Sequence, residues 1–481
     1  MKNTHGKLVL QPLQPKYKQA LCGPSRTSFL TSRRPDTLRV YENHCHYWRH
    51  TVGNFTTIPQ YFKENGYHTV SVGKIFHPGP PSGRRQDYPY SWSVKPFTPK
   101  SLYYENKEVC PDPSGSPKAN LLCAVNVSTQ PLKTLPDLQN AEVATEFLRQ
   151  WSSKEGSKRA QTPFFLAVGF YKPHIPFRIP KEYLELYPIE RIKLPPDHEL
   201  PADLPPVAWN PWTDIRRRHD ASLLNVSFPY GPLPVDFQKR IRQHYYAAVT
   251  YIDKQVGKVL AALDETGLRN DTLIVFIGDH GWALGEHQEY SKYSNFQVAT
   301  NVPLIVSLPR SQRSMSPGKL YERVDDPVAL VDLFPTLTSL ASLPVPPSCS
   351  SSSSSSPTTC TDGINLALPV QRKEVLHQYP RPSATPQVNS DQPRLTDIRI
   401  MGYSMVSRDY RYTEWIGFNT TNFHRNWTNV YARELYDLNS DPREDNNVAS
   451  FPKYKDIVVA LSSRLRELVG DSVVSNDVRV D

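Results

Sequence analysis

"TLIVFIGDHGWALGEH", residues 272–287, decides how the chain is read. Its first part, Thr272–Ile277, is a run of β-branched and aliphatic residues with one phenylalanine, the composition of a buried strand. The run stops at Gly278, and Asp279 and His280 follow at once. A strand that ends by presenting a carboxylate and an imidazole suits an open α/β sheet, because such sheets bind ligands beyond the carboxyl ends of their strands. Just upstream, Ile241, Tyr245, Ala248, Ile252, Val256, Leu260 and Leu263 recur at steps of three or four. That spacing predicts an amphipathic helix over 237–263, with Gly267 available to end it.

The same alternation recurs along the chain. Pro59 and Gly66 punctuate "IPQYFKENG" as a helix, and a strand, Thr69–Val72, follows. "NAEVATEFLRQW" places Val143, Phe147 and Trp151 on one helical face ahead of a buried strand over Phe164–Val168. Leu304–Leu308 reads as another strand, and Asp326-Pro327 as the opening of a helix to about Leu343. Strands alternating with helices predict an α/β fold: a doubly wound, mostly parallel sheet flanked by helices. Beyond residue 370 the pattern changes. "IRIMGYSMVS" and "YRYTEWIGF" form a hairpin pattern around Arg408-Asp409, and Ile457, Leu461, Arg464 and Leu468 mark a last helix. The expected division is a catalytic domain over 1–370 and a smaller α+β subdomain, built on an antiparallel sheet, over 371–481.

Composition narrows the partner. With 481 residues, 38% hydrophobic and 11% aromatic, the chain can bury a large core, and its 46 prolines stiffen long loops. A net charge of +9 suits a polyanion, nucleic acid or sulfated glycan, and no Lys/Arg block or nucleic-acid module favours the former. Of six cysteines, Cys110 and Cys123 flank one short loop, and Cys349 and Cys360 flank another that holds the run Ser350–Ser356. Disulfide closure of such loops contributes roughly 3 kcal/mol each, and no spacing resembles a zinc site. Sequons at Asn54, Asn126, Asn225, Asn270, Asn419 and Asn426 favour the secretory pathway. The first twenty residues nevertheless carry no apolar signal core, and no apolar run is long enough to span a membrane.

Chemistry-bearing residues gather after the strands. Lys74 and His77 follow the first, His174 in "YKPHIPF" follows the second, and Asp279 and His280 follow the third, with Lys292 soon after. Lys74, Lys292 and Arg26 suit a tetrahedral oxyanion through charge-assisted hydrogen bonds. Asp279 is a hard ligand for calcium or magnesium, with His280 completing or orienting such a site. His77 and His174 are proton carriers near neutral or mildly acid pH. Each also has a plain reading: a packed structural histidine for His174, surface charge for Lys74, an inert buried thiol for Cys22.

Cys22, Pro24, Ser25 and Arg26 form a C-x-P-S-R core within "CGPSRTSFLTS". That stretch and "GYHTVSVGKIFH" resemble the two signatures of type I sulfatases of the alkaline-phosphatase superfamily. "GDHGWALGEH", "KYSNFQVATNVPLI" and "ELYDLNSDPRED" follow in the family's order, over about Lys18 to Val469. "RRPDT", "GNFTTIPQYFKENGY", "YKPHIPFRIPKEY", "AWNPW" and "QYPRPS" point to members that act on sulfated iduronate. The resemblance implies that a formylglycine-generating enzyme oxidises Cys22 to formylglycine, reading Pro24, Ser25 and Arg26. The hydrated aldehyde then attacks sulfur and later reforms the carbonyl to expel sulfate. It further implies that Arg26 supports the hydrate, Lys74 and Lys292 bind sulfate, His77 assists breakdown and His174 protonates the leaving alcohol. Asp279, His280 and modified Cys22 would hold one calcium ion. The implied reaction is hydrolysis of 2-sulfate esters on terminal iduronate of dermatan sulfate and heparan sulfate, in the lysosome. The two local cysteine pairs match disulfides of this subfamily.

Some features depart from the family pattern. Only 21 residues precede Cys22, and the first acidic residue of the chain is Asp36. The expectation is therefore that the family's first strand, with its paired metal aspartates, and the signal are missing from this chain, leaving the calcium site underligated. Ser32 and Gly278 replace the usual glycine and serine, Tyr171 stands where histidine is frequent, and Cys45 has no evident partner. A non-catalytic glycan-binding relative is the rival reading. A two-zinc phosphodiesterase of the same superfamily is disfavoured by Cys22.

Overall fold

In a computed structural model, residues 9–12, 15–16, 19–153, 162–309, 322–324, 326–349, 358–368 and 372–471 are described. The first half runs β1 (Val9–Pro12), α1 (Cys22–Thr31), α2 (Ile58–Glu64), β2 (His68–Gly73), β3 (Leu122–Val125), α3 (Pro136–Ser152), β4 (Phe164–Gly169) and β5 (Phe177–Pro180). The second runs α4 (Val235–Glu265), β6 (Ile274–Ile277), β7 (Leu304–Ser307), β8 (Glu322–Val324) and α5 (Leu333–Leu340). Then come β9 (Val375–Arg381), β10 (Ile400–Val406), β11 (Tyr410–Asn419), β12 (His424–Asp437) and α6 (Lys455–Val469).

Local sequence explains most of these elements. The Thr57 hydroxyl accepts the Gln60 N–H at 3.2 Å and starts α2. Gly267, at φ 73, lies one residue past the cap of α4, where a side chain would be strained. On α3, Phe147 and Trp151 stack at 5.3 Å, and Val143 and Phe147 pack with Val70 and Val72 of β2. β2 and β4 pair in parallel from His68↔Phe164 to Gly73↔Gly169. Both terminal glycines are required: a Cβ on Gly73 would lie 2.2 Å from the Gly169 oxygen, and one on Gly169 2.0 Å from the Lys74 oxygen. This close approach is what delivers Lys74 to the sheet's carboxyl end.

The α/β class holds, with parallel pairs β2–β4, β3–β5 and β1–β8, and with β7 antiparallel to both β6 and β1. Among the described residues β4 forms a ladder with β2 alone and β6 with β7 alone. All of β4 is only half-buried, and Phe276 of β6 is 38% exposed. The principal core gathers Phe29, Phe62, Phe76, Trp92, Leu304 and Phe334. The C-terminal sheet β9–β10–β11–β12 is wholly antiparallel, and α6 covers it with Ile457, Leu461, Leu465 and Leu468. Its Tyr379, Ile400 and Trp415 pack against Leu21, Val207, Ala208 and Tyr293, so it buttresses the neighbours of Cys22 and Lys292.

One sequence expectation is corrected. Asp326-Pro327 does not open a helix: Val328–Ala329 is a short strand, Leu330–Asp332 a 3-10 turn, and α5 starts at Leu333. The Asp332 carboxylate explains the delay, because it accepts the Ala329 and Ile364 N–H groups at 2.8 and 2.9 Å and pairs with Arg372 at 2.5 Å. Cys110–Cys123 and Cys349–Cys360 are disulfides, with Cα atoms 5.0 and 5.1 Å apart. Cys45 is a free buried thiol, pushed up to about 12 by burial and by Glu42. The serine run and the expected domain boundary at residue 370 lie outside the described residues.

Burial also raises several carboxyls, among them Asp137 to about 6, Asp391 to about 7 and Glu289 to about 8. A carboxyl raised in the folded state adds stability that is complete below its unfolded value and is lost as pH climbs through its folded value. Glu289→Gln removes the largest of these effects. Its melting temperature should gain on the parent progressively from about pH 4.5 to about pH 8. A gain of the same size at every pH would refute the assignment.

Candidate active site

The site begins at the N-terminus of α1. Leu21 is extended (φ −151°), Cys22 is the first helical residue and Pro24 lies in the first turn, where its missing N–H costs nothing. The Gly23 N–H donates to Asn43 Oδ1 at 2.9 Å, and a Cβ at Gly23 would meet that same atom. At the other end Ser32 takes the left-handed conformation, φ 52°, that explains the family's glycine, and its hydroxyl donates to the Val331 carbonyl at 2.5 Å.

Arg26 joins three segments. Its Nε donates to Asp279 Oδ2 at 2.7 Å, and its Nη1 donates to the carbonyls of Lys74 and Ile75 at 2.5 and 2.9 Å. Ser25 Oγ donates to the Asp279 carbonyl at 2.5 Å. The ends of β2 and β6 are thereby fastened to α1. Burial opposes the charge on Asp279, but Arg26 and His280 outweigh it and hold the carboxyl down at about 2.

Every residue singled out in the sequence converges on Cys22. His280 Nε2 lies 3.2 Å from its Sγ, Lys74 Nζ 3.4 Å and Lys292 Nζ 3.5 Å. His77 and His174 interact electrostatically with the same side chain. Nδ1 of His174 donates to the Ile175 carbonyl at 2.6 Å and Nδ1 of His280 to the Gly281 carbonyl at 2.9 Å. These bonds leave Nε2 of each ring for the site. Burial disfavours the Cys22 thiolate, yet Lys292, Lys74 and His280 overcome it and bring the thiol well below its ordinary value. Burial, then Lys74 and Lys292, press His174 down to about 3. The pocket therefore favours an anion at position 22 and keeps the resting His174 neutral.

Sequence reading missed the residues that hold these groups. Asn210, from "AWNPW", donates from Nδ2 to the carbonyls of Tyr290 and Lys292 at 3.0 and 2.5 Å and accepts the Trp212 N–H at 2.8 Å. Glu289 in turn accepts the Asn210 N–H at 2.9 Å. Asp137, at the start of α3, accepts the N–H groups of Tyr171 and Lys172 at 2.7 and 3.0 Å. The one sequence signal for Asp137 is its place after Pro136 in a helical first turn.

Cys22, Asp279 and His280 bring their ligand atoms within 4.8 Å of one another. They offer one sulfur, one carboxylate oxygen and one ring nitrogen, and the oxygen nearest them is already bonded to Arg26. Calcium takes about six to eight oxygen ligands. These three residues alone do not fit a calcium ion.

A family profile described as Sulfatase matches residues 13–343. The chain is 52% identical over 464 residues to iduronate 2-sulfatase of Homo sapiens, covering 90% of this chain and 83% of that protein. It is 24% identical over 489 residues to arylsulfatase K of Xenopus laevis, covering 99% of this chain and 78% of that protein. Among solved structures it matches a 2-O GAG sulfatase at a TM-score of 0.61 and 21% identity, covering 96% of this chain and 84% of the other. It also matches the phosphonate monoester hydrolase of Silicibacter pomeroyi at a TM-score of 0.66 and 19% identity, covering 95% and 88%. The two signatures, their convergence on Cys22 and these likenesses lead to one conclusion: the chain belongs to the sulfatase family and is a sulfuric ester hydrolase.

Proposed function

We propose that this chain hydrolyses 2-sulfate esters at terminal iduronate residues of dermatan sulfate and heparan sulfate, with position 22 acting as formylglycine. The observation that carries the reading is the cage of Lys74, Lys292, His77, His174 and His280 around one side chain. Identity of 52% to an iduronate 2-sulfatase supports the choice of sugar.

The Cys22 sulfur marks where the reacting oxygen of the modified residue would lie. Formylglycine would supply a hydrated aldehyde, a nucleophile that a plain thiol cannot replace because it has no carbonyl to reform. Lys74 and Lys292 face that point from two segments and are placed to share the charge of a sulfate group. An anion between them offsets the two positive charges that add to burial in depressing His174. His174 can then hold a proton on Nε2 and pass it to the leaving alcohol. His77, half-buried beside the same side chain, is the group to take a proton back. Arg26 keeps Asp279 ionised and holds the carboxyl ends of β2 and β6 at the site.

Calcium is the ion that the resemblance implies. Among the described residues the donors do not complete its shell, so no step is routed through it. The second reading is a glycan-binding sulfatase relative without turnover. The disulfides and the exposed sequon residues Asn54, Asn126, Asn225, Asn270 and Asn419 support a secretory route to the lysosome and passage by a formylglycine-generating enzyme.

Sulfate release from a 2-sulfated iduronate disaccharide, with mass spectrometry of the Cys22 peptide, tests the proposal. Turnover should require the modified residue, disappear in Cys22→Ala and fall by about 10²-fold or more in Lys292→Ala. Binding without turnover, despite confirmed conversion at position 22, would select the second reading. Arg26→Met should destabilise the fold by less than the roughly 3–5 kcal/mol of a fully buried pair, because it leaves the half-buried Asp279 charge without its nearest partner. Adding Asp279→Asn should recover part of that loss in a denaturant titration; strictly additive losses would count against the coupling.

A further inference from the structure

The loop that carries His174 is clamped from both sides by groups outside the cage. Lys172 is 5% exposed, and its Nζ donates to the His174 and Pro176 carbonyls, both at 2.8 Å, while pairing with the Glu105 carboxylate. An ammonium has three N–H donors, and these three acceptors occupy them all. On the amide side, Asp137 takes the Tyr171 and Lys172 N–H groups. The imidazole is tethered within the clamped stretch, since its Nδ1 donates to Ile175 O at 2.6 Å, between the two carbonyls that Lys172 holds.

We propose that Lys172, fixed by Glu105, is a positioning residue that aims His174 Nε2 at the leaving oxygen. The inference rests on the leaving-group role given to His174 above. A buried ion pair is a weak source of stability, because the cost of desolvating two charges rivals their attraction. What Lys172 contributes is direction: no apolar side chain can hold two carbonyls and a carboxylate at once. Glu105 is 7% exposed and also faces Arg178, at 3.7 Å, so the ammonium charge is balanced inside the clamp and does not reach the sulfate as a third lysine.

The test compares two esters in the full chain with conversion at position 22 verified. One is the 2-sulfated iduronate disaccharide, whose alcohol must be protonated as it leaves. The other is nitrophenyl sulfate, whose phenolate leaves without help. Lys172→Met should lower kcat on the sugar ester by about 10²-fold, the order expected from misplacing a catalytic group by an ångström. Its KM and its turnover of the aryl ester should change little, and His174→Asn should show the same split. Glu105→Gln should move in the same direction by less, and it keeps the question open to test if Lys172→Met does not fold, as a thermal melt would reveal. A crystal structure of either variant should show the His174 ring displaced and its bond to the Ile175 carbonyl lost. Equal losses on the two esters, or an unmoved ring, overturn the proposal. If His174→Asn itself shows no split, the proton-donor reading fails and this inference falls with it, whereas a split in His174→Asn alone rejects only Lys172.

Discussion

The half-buried pair between Arg26 and Asp279 is the interaction on which the site depends. One guanidinium meets a carboxylate at the end of β6 and two carbonyls at the end of β2, all from the second turn of α1. Its planar array of donors allows this, and a lysine in its place would supply a point charge without the fork. Segments about 50 and about 250 residues apart in the chain are thus held in one register. Cys22, Lys74, His77 and His280 all lie within a few residues of the atoms so fastened.

Charge balance follows from the same pair. Around Cys22 stand two lysines and three histidines, and Asp279 is the carboxylate among them that takes part in the cage. Arg26 neutralises that carboxylate, so the remaining field is positive and directed at position 22. The field draws an anion to that position, and together with burial it depresses His77 and His174. The raised carboxyls Asp137, Asp391 and Glu289 add a second preference, for acid over alkaline pH, and two of them lie close to the machinery. Asp137 holds the loop of His174, and Glu289 holds Asn210, which holds Lys292.

The C-terminal sheet belongs to the site as well. Arg381 of β9 is fully buried and donates to the carbonyls of Val207 and Ala208, both at 3.0 Å, and of Tyr293 at 2.8 Å. Tyr293 follows Lys292, and Val207 and Ala208 precede Asn210, so the sheet braces the strand-to-loop segment that carries the second lysine. A hydrogen-bonded series from Asn43 through Gln392 and Tyr293 to Asp214 joins the Gly23 amide to the same segment. Its steps are between side chains distant in sequence, and no periodicity announces them.

Sequence alone determined the α/β alternation, because strands and amphipathic helices write their periods into local composition. It also singled out the residues that gather at the site, because Cys22, Lys74, His77, His174, Asp279, His280 and Lys292 stand in recognisable motifs or directly after strands. Tertiary structure decided the rest. It chose β7 to run antiparallel, since ladder direction depends on where a strand returns and not on its composition. It shortened the helix expected after Pro327, through long-range bonds to the Asp332 carboxylate. It selected Asn210, Asp137, Glu105 and Lys172 as supports, since these bind backbone carbonyls and amides that any sequence provides. A side chain that reacts must be of one kind, and the sequence shows it. A side chain that positions needs only the right place, and that exists only once the chain has folded.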